Sequence, residues 1–146
     1  MARFIYRMQS ILDIKEKLEE QAKMEFAAAR VKLDEEEEKL QILINRKAAY
    51  EEQGRELRKD SLMVLDILEN RNAISRMDEY IAYQRGQVHI AEKGLEDARY
   101  KLQIARQESK THEKLRERAF DEFVREENAR EAKEIDELTS YTHGQK

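Results

Sequence analysis

The sequence predicts an all-α protein built as a long antiparallel two-stranded coiled-coil hairpin. Its composition suits helices, because 41% of the residues are charged, proline is absent and only four glycines occur in 146 residues. A sheet would need turn residues that are largely missing. Two halves with heptad spacing, separated by a central break, complete the prediction, because the break lets one helix fold back on the other.

The same composition limits the kind of protein. The chain has the length of one domain, and we expect a single elongated coiled-coil domain over residues 1–146. Without cysteine it can form neither disulfides nor thiolate metal sites. No apolar run approaches the ~20 residues of a membrane span, and the N-terminus reaches charged residues too soon for a signal peptide. A net charge of −4 without a basic stripe argues against nucleic acid. We therefore expect a cytoplasmic protein with no direct membrane insertion.

The first long helix is predicted at about residues 3–58. Phe26 and Leu33 are seven residues apart, which is the spacing of a coiled-coil seam, the row of side chains that each helix turns toward the other. Upstream, Leu18, Ala22 and Phe26 follow in two steps of four. This spacing predicts a stutter, where the supercoil locally unwinds.

The acidic run DEEEEK (34–39) lies within this helix. Glu36 falls on the seam, so its layer is either open or satisfied by a cationic partner. The run lacks the turn geometry of a calcium loop, and we interpret the remaining carboxylates as a solvated face.

A break with a short helix is predicted at about residues 59–72. Gly54 is expected to interrupt the first helix, Asp60 or Ser61 to cap the next, and the two asparagines of LENRNA to favour a turn. The apolar block SLMVLDIL is too long for a plain loop. The tip of the hairpin should therefore carry a short helix or an irregular segment.

The second long helix is predicted at about 73–138, with a frayed tail at 139–146. Its seam alternates between two heptad series. The a positions are Ile74, Ile81, Val88, Leu95 and Leu102, and the d positions are Met77, Gln84, Ala91, Ala98 and Ala105. Alanine layers let two helices approach closely, while after Ala105 the seam is mostly polar, with one aromatic at Phe123.

Two pairings of these helices share this periodicity. An intramolecular hairpin would be a rod of ~80–100 Å, whereas a parallel homodimer would use the same seams between two chains. The central break favours the hairpin. Either arrangement buries only a thin seam and offers no concave substrate pocket.

No residues in the sequence form a catalytic, cofactor-binding or metal site. The histidines His89, His112 and His143 are widely separated, and none has metal-ligand spacing to another. His112 falls on the seam, where we expect a packed or paired histidine. The sequence therefore predicts a protein that is not an enzyme and has no cofactor.

An aromatic stripe distinguishes the stretch DEYIAYQRGQVHI (78–90). Tyr80 and Gln87 are g positions and Tyr83 is a c position, so they lie beside the seam, and Gly86 is an outward f position. In one interpretation Tyr80 flanks the seam, Tyr83 packs on the tip helix, and Gly86 is a tolerated substitution without a role of its own. In the other the stripe binds a partner, since exposed tyrosines are favoured interface anchors.

Three segments of the chain carry a family resemblance: RFIYRMQSILDIKEKLEEQAKMEFAAAR (3–30), KLQILINRKAAYEEQ (39–53) and KLRERAFDEFVREENAREAKEIDEL (114–138). With these segments in this order, the whole chain resembles the FliJ family of the bacterial flagellar type III export apparatus. It implies a hairpin like the paired terminal helices of a rotary ATPase γ subunit. It also implies a stalk whose end bearing both termini enters the hexameric export ATPase ring and promotes its assembly and activity.

The resemblance further implies contact with the cytoplasmic domain of the large export-gate membrane protein and with export chaperones. The protein would then be peripherally associated with the membrane export apparatus at the flagellar base. The implied gate-binding residues are Tyr80, Gln84, Gln87 and Ala91, with Tyr83 as a substitute anchor, and the implied first-helix face is Lys39, Leu43, Arg46 and Tyr50. The implied ATPase-ring end comprises Phe4, Ile5, Met8, Ile11, Phe120, Phe123 and Arg130.

Three other functions fit the same pattern. A generic coiled-coil scaffold would be a homodimer, and a secretion chaperone would need a broad apolar groove where this sequence offers a narrow stripe. The equivalent stalk of a virulence type III secretion system would share the periodicity of the flagellar one.

Overall fold

The computed structural model describes residues 2–60 and 63–144. These residues form two helices, α1 (Gln9–Asp60) and α2 (Val64–Gly144), and no strand occurs among them. The pairing is antiparallel, because Phe26 of α1 lies against Arg99 of α2, while Lys47, later in α1, reaches Asp78, earlier in α2. The predicted helical hairpin is confirmed.

Contacts divide the chain into two units. One comprises Met1–Gln21 and Gln103–Lys146, and the other comprises Ala22–Leu102. We call them the terminal unit and the central unit. Each contains segments of both helices, and the single elongated domain over 1–146 stays a prediction.

The boundaries of both helices differ from the predicted ones. α1 begins at Gln9, not near residue 3, because residues 2–8 are non-helical and Phe4 in this segment docks on α2. α2 begins at Val64 and is continuous, so the separate short helix predicted at 59–72 is wrong. Ser61 and the side chain of Asp60, named as caps, lie outside the described residues.

The seam explains why α2 starts early. Continuing its heptads toward the N-terminus leads from Ile74 to Ile67 and from Met77 to Asn70. Ile67 is half-buried and Asn70 is buried. The supposed turn residues of LENRNA are therefore helical, and Asn70 occupies a d position of the seam.

Gly54 does not interrupt α1. It is buried, and a methyl group at its position would lie 2.5 Å from Oδ1 of Asn70. The Asn70 side chain crosses this space and donates its amide to the carbonyl of Tyr50 (2.8 Å) and to Oε1 of Gln53 (3.3 Å). The glycine makes room for an interhelical contact, which sequence reasoning mistook for a break.

The stutter predicted near Leu18 is absent. Leu18 is 45% exposed, whereas Lys15 and Glu19 are half-buried, so burial proceeds from Leu12 to Ala22 in alternating steps of three and four. Lys15 can occupy the seam because its Nζ reaches Glu108 of α2 at 2.9 Å while its methylene groups cover apolar surface.

The predicted seam of α2 is confirmed through the central unit. All of its a and d residues from Met77 to Leu102 are buried. Leu33, Val88, Ala91 and Leu95 form the core cluster, against which Phe26, Ala29 and Leu40 pack. The small alanine side chains bring α1 close enough to bury this narrow core.

The tail is helical through Gly144, so the predicted fraying at 139–146 is wrong for its described part. The hydroxyls of Thr139 and Thr142 donate to the carbonyls of Ile135 and Leu138, both at 2.9 Å. These bonds satisfy the two hydroxyl groups within the helix. Residues 128–143 contain neither proline nor glycine, so nothing in them ends the helix before Gly144. Within 2–60 and 63–144, no helix is long and apolar enough to cross a membrane.

Candidate interaction surfaces

A charged layer crosses the seam of the central unit at Glu36. The carboxylate is buried and accepts a hydrogen bond from the Gln84 side chain, whose Nε2 also donates to the Glu36 carbonyl at 3.0 Å. The cations are Lys32 (2.8 Å) and Lys39 (3.5 Å) of its own helix. The layer is therefore satisfied, with a neutral amide as the partner from α2.

These contacts hold the pKa of Glu36 down to about 2, mainly through the hydrogen bond from Lys32 and then the one from Gln84, against opposing desolvation. Because the folded-state pKa is lowered, the stabilisation is fully present above the ordinary value of 4.5 and is lost as pH falls toward about 2. Glu36→Gln should therefore lower the thermal midpoint at pH 7, and the deficit should shrink between pH 4.5 and pH 2.

Circular dichroism melts from pH 7 to pH 2 measure this difference. Glu38→Gln, an exposed neighbour, is the matched control and should leave the midpoint at pH 7 near that of the unsubstituted chain. A Glu36→Gln deficit that is unchanged at pH 2 would contradict the assigned role of the carboxylate.

The structure separates the residues named for gate binding into two groups. Tyr80 and Tyr83 are exposed, Tyr83 by 68%, and Gln87 is half-buried. Gln84 and Ala91 are buried in the seam, where a partner cannot reach them. The two buried residues are therefore not part of an exposed face, as their d positions already indicated.

An exposed stripe runs beside that seam on α2. It begins at Tyr80 and continues through Tyr83, Gln87, Ile90 and Gly94 at helical spacing. Ile90 is 62% exposed and was missed, although it lies seven residues after Tyr83 on the same c series. Apart from the backbone of the same helical turn and the two adjoining residues, no atom of the described residues lies within 4 Å of a methyl group built on Gly86 or Gly94. Among residues 2–60 and 63–144 no separate tip helix exists for Tyr83 to pack on, so that part of the first interpretation is wrong.

The residues named on the first helix do not form one exposed face. Leu43 and Tyr50 are half-buried seam residues, and the Tyr50 carbonyl accepts the Asn70 amide. Lys39 and Arg46 are exposed, and Lys39 lies beside Glu36. Of the four named residues, Lys39 and Arg46 are the exposed ones.

Phenylalanine side chains named for the ring end meet in the terminal unit. The Phe4 ring lies 5.3 Å from that of Phe120 and 5.4 Å from that of Phe123. The Arg116 guanidinium stacks over Phe4 at 5.5 Å, and the Tyr6 ring lies 6.5 Å away. Residues more than one hundred positions apart thus form one aromatic cluster, and its contact with an ATPase ring stays a prediction.

The other residues named for the ring end differ in exposure. Ile5 is 78% exposed and Met8 is 45% exposed, whereas Ile11 is half-buried. Residues 3–7 line a cleft of about 810 Å³ together with Ala119 and Phe123 of α2. Arg130 is exposed and pairs with Glu127 of its own helix at 3.1 Å.

The last part of α2 is a surface that sequence reasoning did not name. From residue 128 to residue 144 every side chain is exposed. Its apolar members Ile135 and Leu138 are f and b positions, so they lie on the face opposite the seam. The seam positions there are Arg130, Lys133, Glu137 and Ser140. This change of face could have been detected by continuing the heptad past Phe123.

His112 differs from the other two histidines in its burial. His112 is half-buried in the seam, and its Nδ1 has no hydrogen-bond partner in the described part of the chain. In residues 2–60 and 63–144, no three histidine or acidic side chains are grouped to hold a metal ion.

The order of these features along the chain agrees with a known family. A family model described as "Flagellar FliJ protein" matches residues 4–146. The chain belongs to the FliJ family.

Individual relatives agree with this membership. The flagellar FliJ protein of Bacillus subtilis (strain 168) is 25% identical over 134 residues, which cover 92% of this chain and 91% of that protein. The solved structure of a YscO homolog from Chlamydia trachomatis has a TM-score of 0.74 at 25% identity. The superposition covers 98% of this chain and 96% of that one.

Membership in the FliJ family makes this a flagellar, type III export-associated protein. It also supports a non-enzymatic role, because the family is a non-catalytic export component.

Proposed function

We propose that this protein is the stalk of the flagellar export ATPase. The terminal unit enters the hexameric ring and promotes its assembly and activity. The central unit contacts the cytoplasmic domain of the large export-gate membrane protein, and the protein helps to escort export chaperones. The observation that carries the proposal is FliJ-family membership over residues 4–146.

The terminal unit suits insertion in a ring. Exposed Ile135 and Leu138 form an apolar patch on an otherwise polar helix that has no partner segment of α1 beside it. An amphipathic helix of this kind is suited to a groove in another protein. The surrounding charges of both signs keep the remaining surface hydrated, so the stalk can be held without sticking irreversibly.

The exposed stripe suits the gate contact. Tyr80, Tyr83 and Ile90 project from a helix whose other face is fixed in the seam. Aromatic side chains on a rigid helix bind with little loss of conformational entropy, which favours them as anchors. Without side chains at Gly86 and Gly94, another backbone can approach closely between them.

The equivalent stalk of a virulence secretion system is the second candidate. The structural similarity to a YscO homolog shows a shared fold and does not choose between the two systems. The match to the flagellar protein of B. subtilis favours the flagellar stalk. Stimulation of one cognate ATPase and not the other distinguishes the two candidates.

Two double variants test the proposal, one at the contact with the ATPase ring and one at the contact with the gate domain. Ile135→Asp with Leu138→Asp should weaken stimulation of the flagellar export ATPase, because it puts charge into the contact with the ring. Tyr80→Ala with Tyr83→Ala should weaken binding to the gate domain. Each pair should cost about tenfold in affinity for its own partner, or about 1.4 kcal/mol, and leave the other partner unaffected. All four residues are exposed, so helicity should not change.

ATP hydrolysis is measured at an enzyme concentration where the hexamer is partly assembled, and gate binding by titration. Stimulation by the unsubstituted chain should saturate near one chain per hexamer. If a competent ATPase shows no response, the scaffold interpretation is favoured, and a dimer at low concentration would establish it.

A further inference from the structure

Residues 2–8 precede α1 without helical structure, although their sequence does not require the helix to stop at Gln9. They contain neither proline nor glycine, and the residue before α1 is Met8. Methionine is not a capping residue, and the first turn of α1 carries no acidic side chain. Local signals therefore do not set this boundary.

Contacts with α2 set it instead. Phe4 lies among Phe120, Phe123 and the Arg116 guanidinium, as described above. Arg116 also donates from Nε to Oε1 of Gln9 at 2.9 Å. One arginine thus holds both the first residue of α1 and the ring that anchors the preceding segment. We call residues 2–8 the strap.

In the strap, the two residues that continue the seam spacing of α1 are exposed and not packed on α2. Counting back from Leu12 in steps of four and three gives Met8 and Ile5. Both are exposed in the strap conformation, Ile5 by 78%. An apolar pair at seam spacing would be expected to face α2 if the helix continued.

A helical extension would place that pair against α2. Gln9 contacts Arg116, so one further turn in the antiparallel pairing brings Ile5 opposite Phe120. In such a helix Phe4 lies beside Ile5, the seam residue, and its ring no longer reaches the site between Phe120 and Phe123. Phe4 docking and Ile5 burial are therefore mutually exclusive.

We propose that the strap is one state of a two-state element. In the strap state Phe4 is docked on α2, and Ile5 and Met8 face solvent. In the extended state α1 continues toward residue 3, Ile5 and Met8 enter the seam, and Phe4 is released. The two states present different apolar side chains at the same end of the terminal unit. The exchange is intramolecular, so it does not depend on the stalk function.

Amide hydrogen exchange of the full chain, followed by NMR, tests the proposal. The amides of Arg7 and Met8 are the reporters, because only an extended helix gives them carbonyl partners four residues earlier. In the unsubstituted chain both should exchange at nearly unprotected rates. Phe4→Ala removes the anchor of the strap state and should slow both by at least about tenfold. Arg3→Ala, an exposed neighbour, should leave them unchanged.

A second variant shows where the protection comes from. Phe4→Ala with Ile5→Asp should return both amides to fast exchange, because a carboxylate is costly in the seam. Amides around Leu33 and Leu95 of the central unit report that each variant is folded. Protected amides in the unsubstituted chain, fast exchange in Phe4→Ala, or persistent protection in the double variant would each overturn the proposal.

Discussion

Leu95→Ala is expected to lower the free energy of unfolding by about 2–4 kcal/mol. Leu95 is buried in the cluster with Leu33, Val88 and Ala91. Truncation removes the transfer free energy of the lost methyl groups and leaves a cavity, and such changes in cores cost ~2–5 kcal/mol. The lower part of that range applies, because a seam between two helices is thin and water or neighbouring side chains can fill part of the space.

Ile90→Ala is the matched control for this prediction. Ile90 lies five residues earlier on the same helix and is 62% exposed. Its truncation should change the free energy of unfolding by no more than about 0.5 kcal/mol. Urea denaturation followed by circular dichroism measures both variants. Equal losses would mean that Ile90 is buried in solution, and the hairpin seam described above would then be wrong.

The contrast also separates stability from binding. Leu95 faces α1, whereas Ile90 belongs to the exposed stripe with Tyr83. Under the proposed function, Ile90→Ala should weaken the gate contact while leaving the fold intact. The two side chains differ mainly in the direction in which the helix projects them, so heptad position decides their role.

Heptad periodicity was sufficient to predict the seam of α2 and the outward direction of Tyr80 and Tyr83. The apolar residues recur regularly there, and burial follows the recurrence from Met77 to Leu102. The same periodicity could not identify partner residues. Gln84 and Ala91, named from family resemblance, are seam residues and are buried.

Predictions failed where a contact distant in sequence overrides local propensity. Asn70 favours turns by itself, but its amide is held by Tyr50 and Gln53 of the other helix. Residues 2–8 have a helical pattern, but Phe4 docks on α2. A single sequence does not reveal such partners, because either conformation satisfies the local preferences.

Polar seam residues also depended on partners in the other helix. Lys15 reaches Glu108 at 2.9 Å, and Lys47 reaches Asp78 at 2.6 Å. The Asp78 carboxylate raises the pKa of Lys47, through the hydrogen bond first and then through its charge. Surface pairs of this kind add little stability. In a mispaired register these half-buried lysine side chains would lose their acceptors on the other helix, so such pairs favour one register over its neighbours.

Gly54→Ala is expected to lower the free energy of unfolding by about 1–2 kcal/mol, although alanine is the better helix former by ~1 kcal/mol. The added methyl group would lie 2.5 Å from Oδ1 of Asn70. The Asn70 side chain must then leave its bonds to Tyr50 and Gln53, and an unsatisfied buried amide costs ~1–3 kcal/mol. Loss of this contact, together with the strain of moving the side chain, outweighs the gain in propensity.

Gly86→Ala is the control with the opposite sign. Nothing lies within 4 Å of its added methyl group, so the chain should gain up to about 1 kcal/mol. Removing the Asn70 side chain should also reveal the gain in helix propensity that alanine brings at position 54. In an Asn70→Ala background, Gly54→Ala should therefore be neutral or stabilising. Urea denaturation of the four variants measures this coupling. If Gly54→Ala and Gly86→Ala stabilise equally, Gly54 is a tolerated helix glycine and the Asn70 contact does not require it.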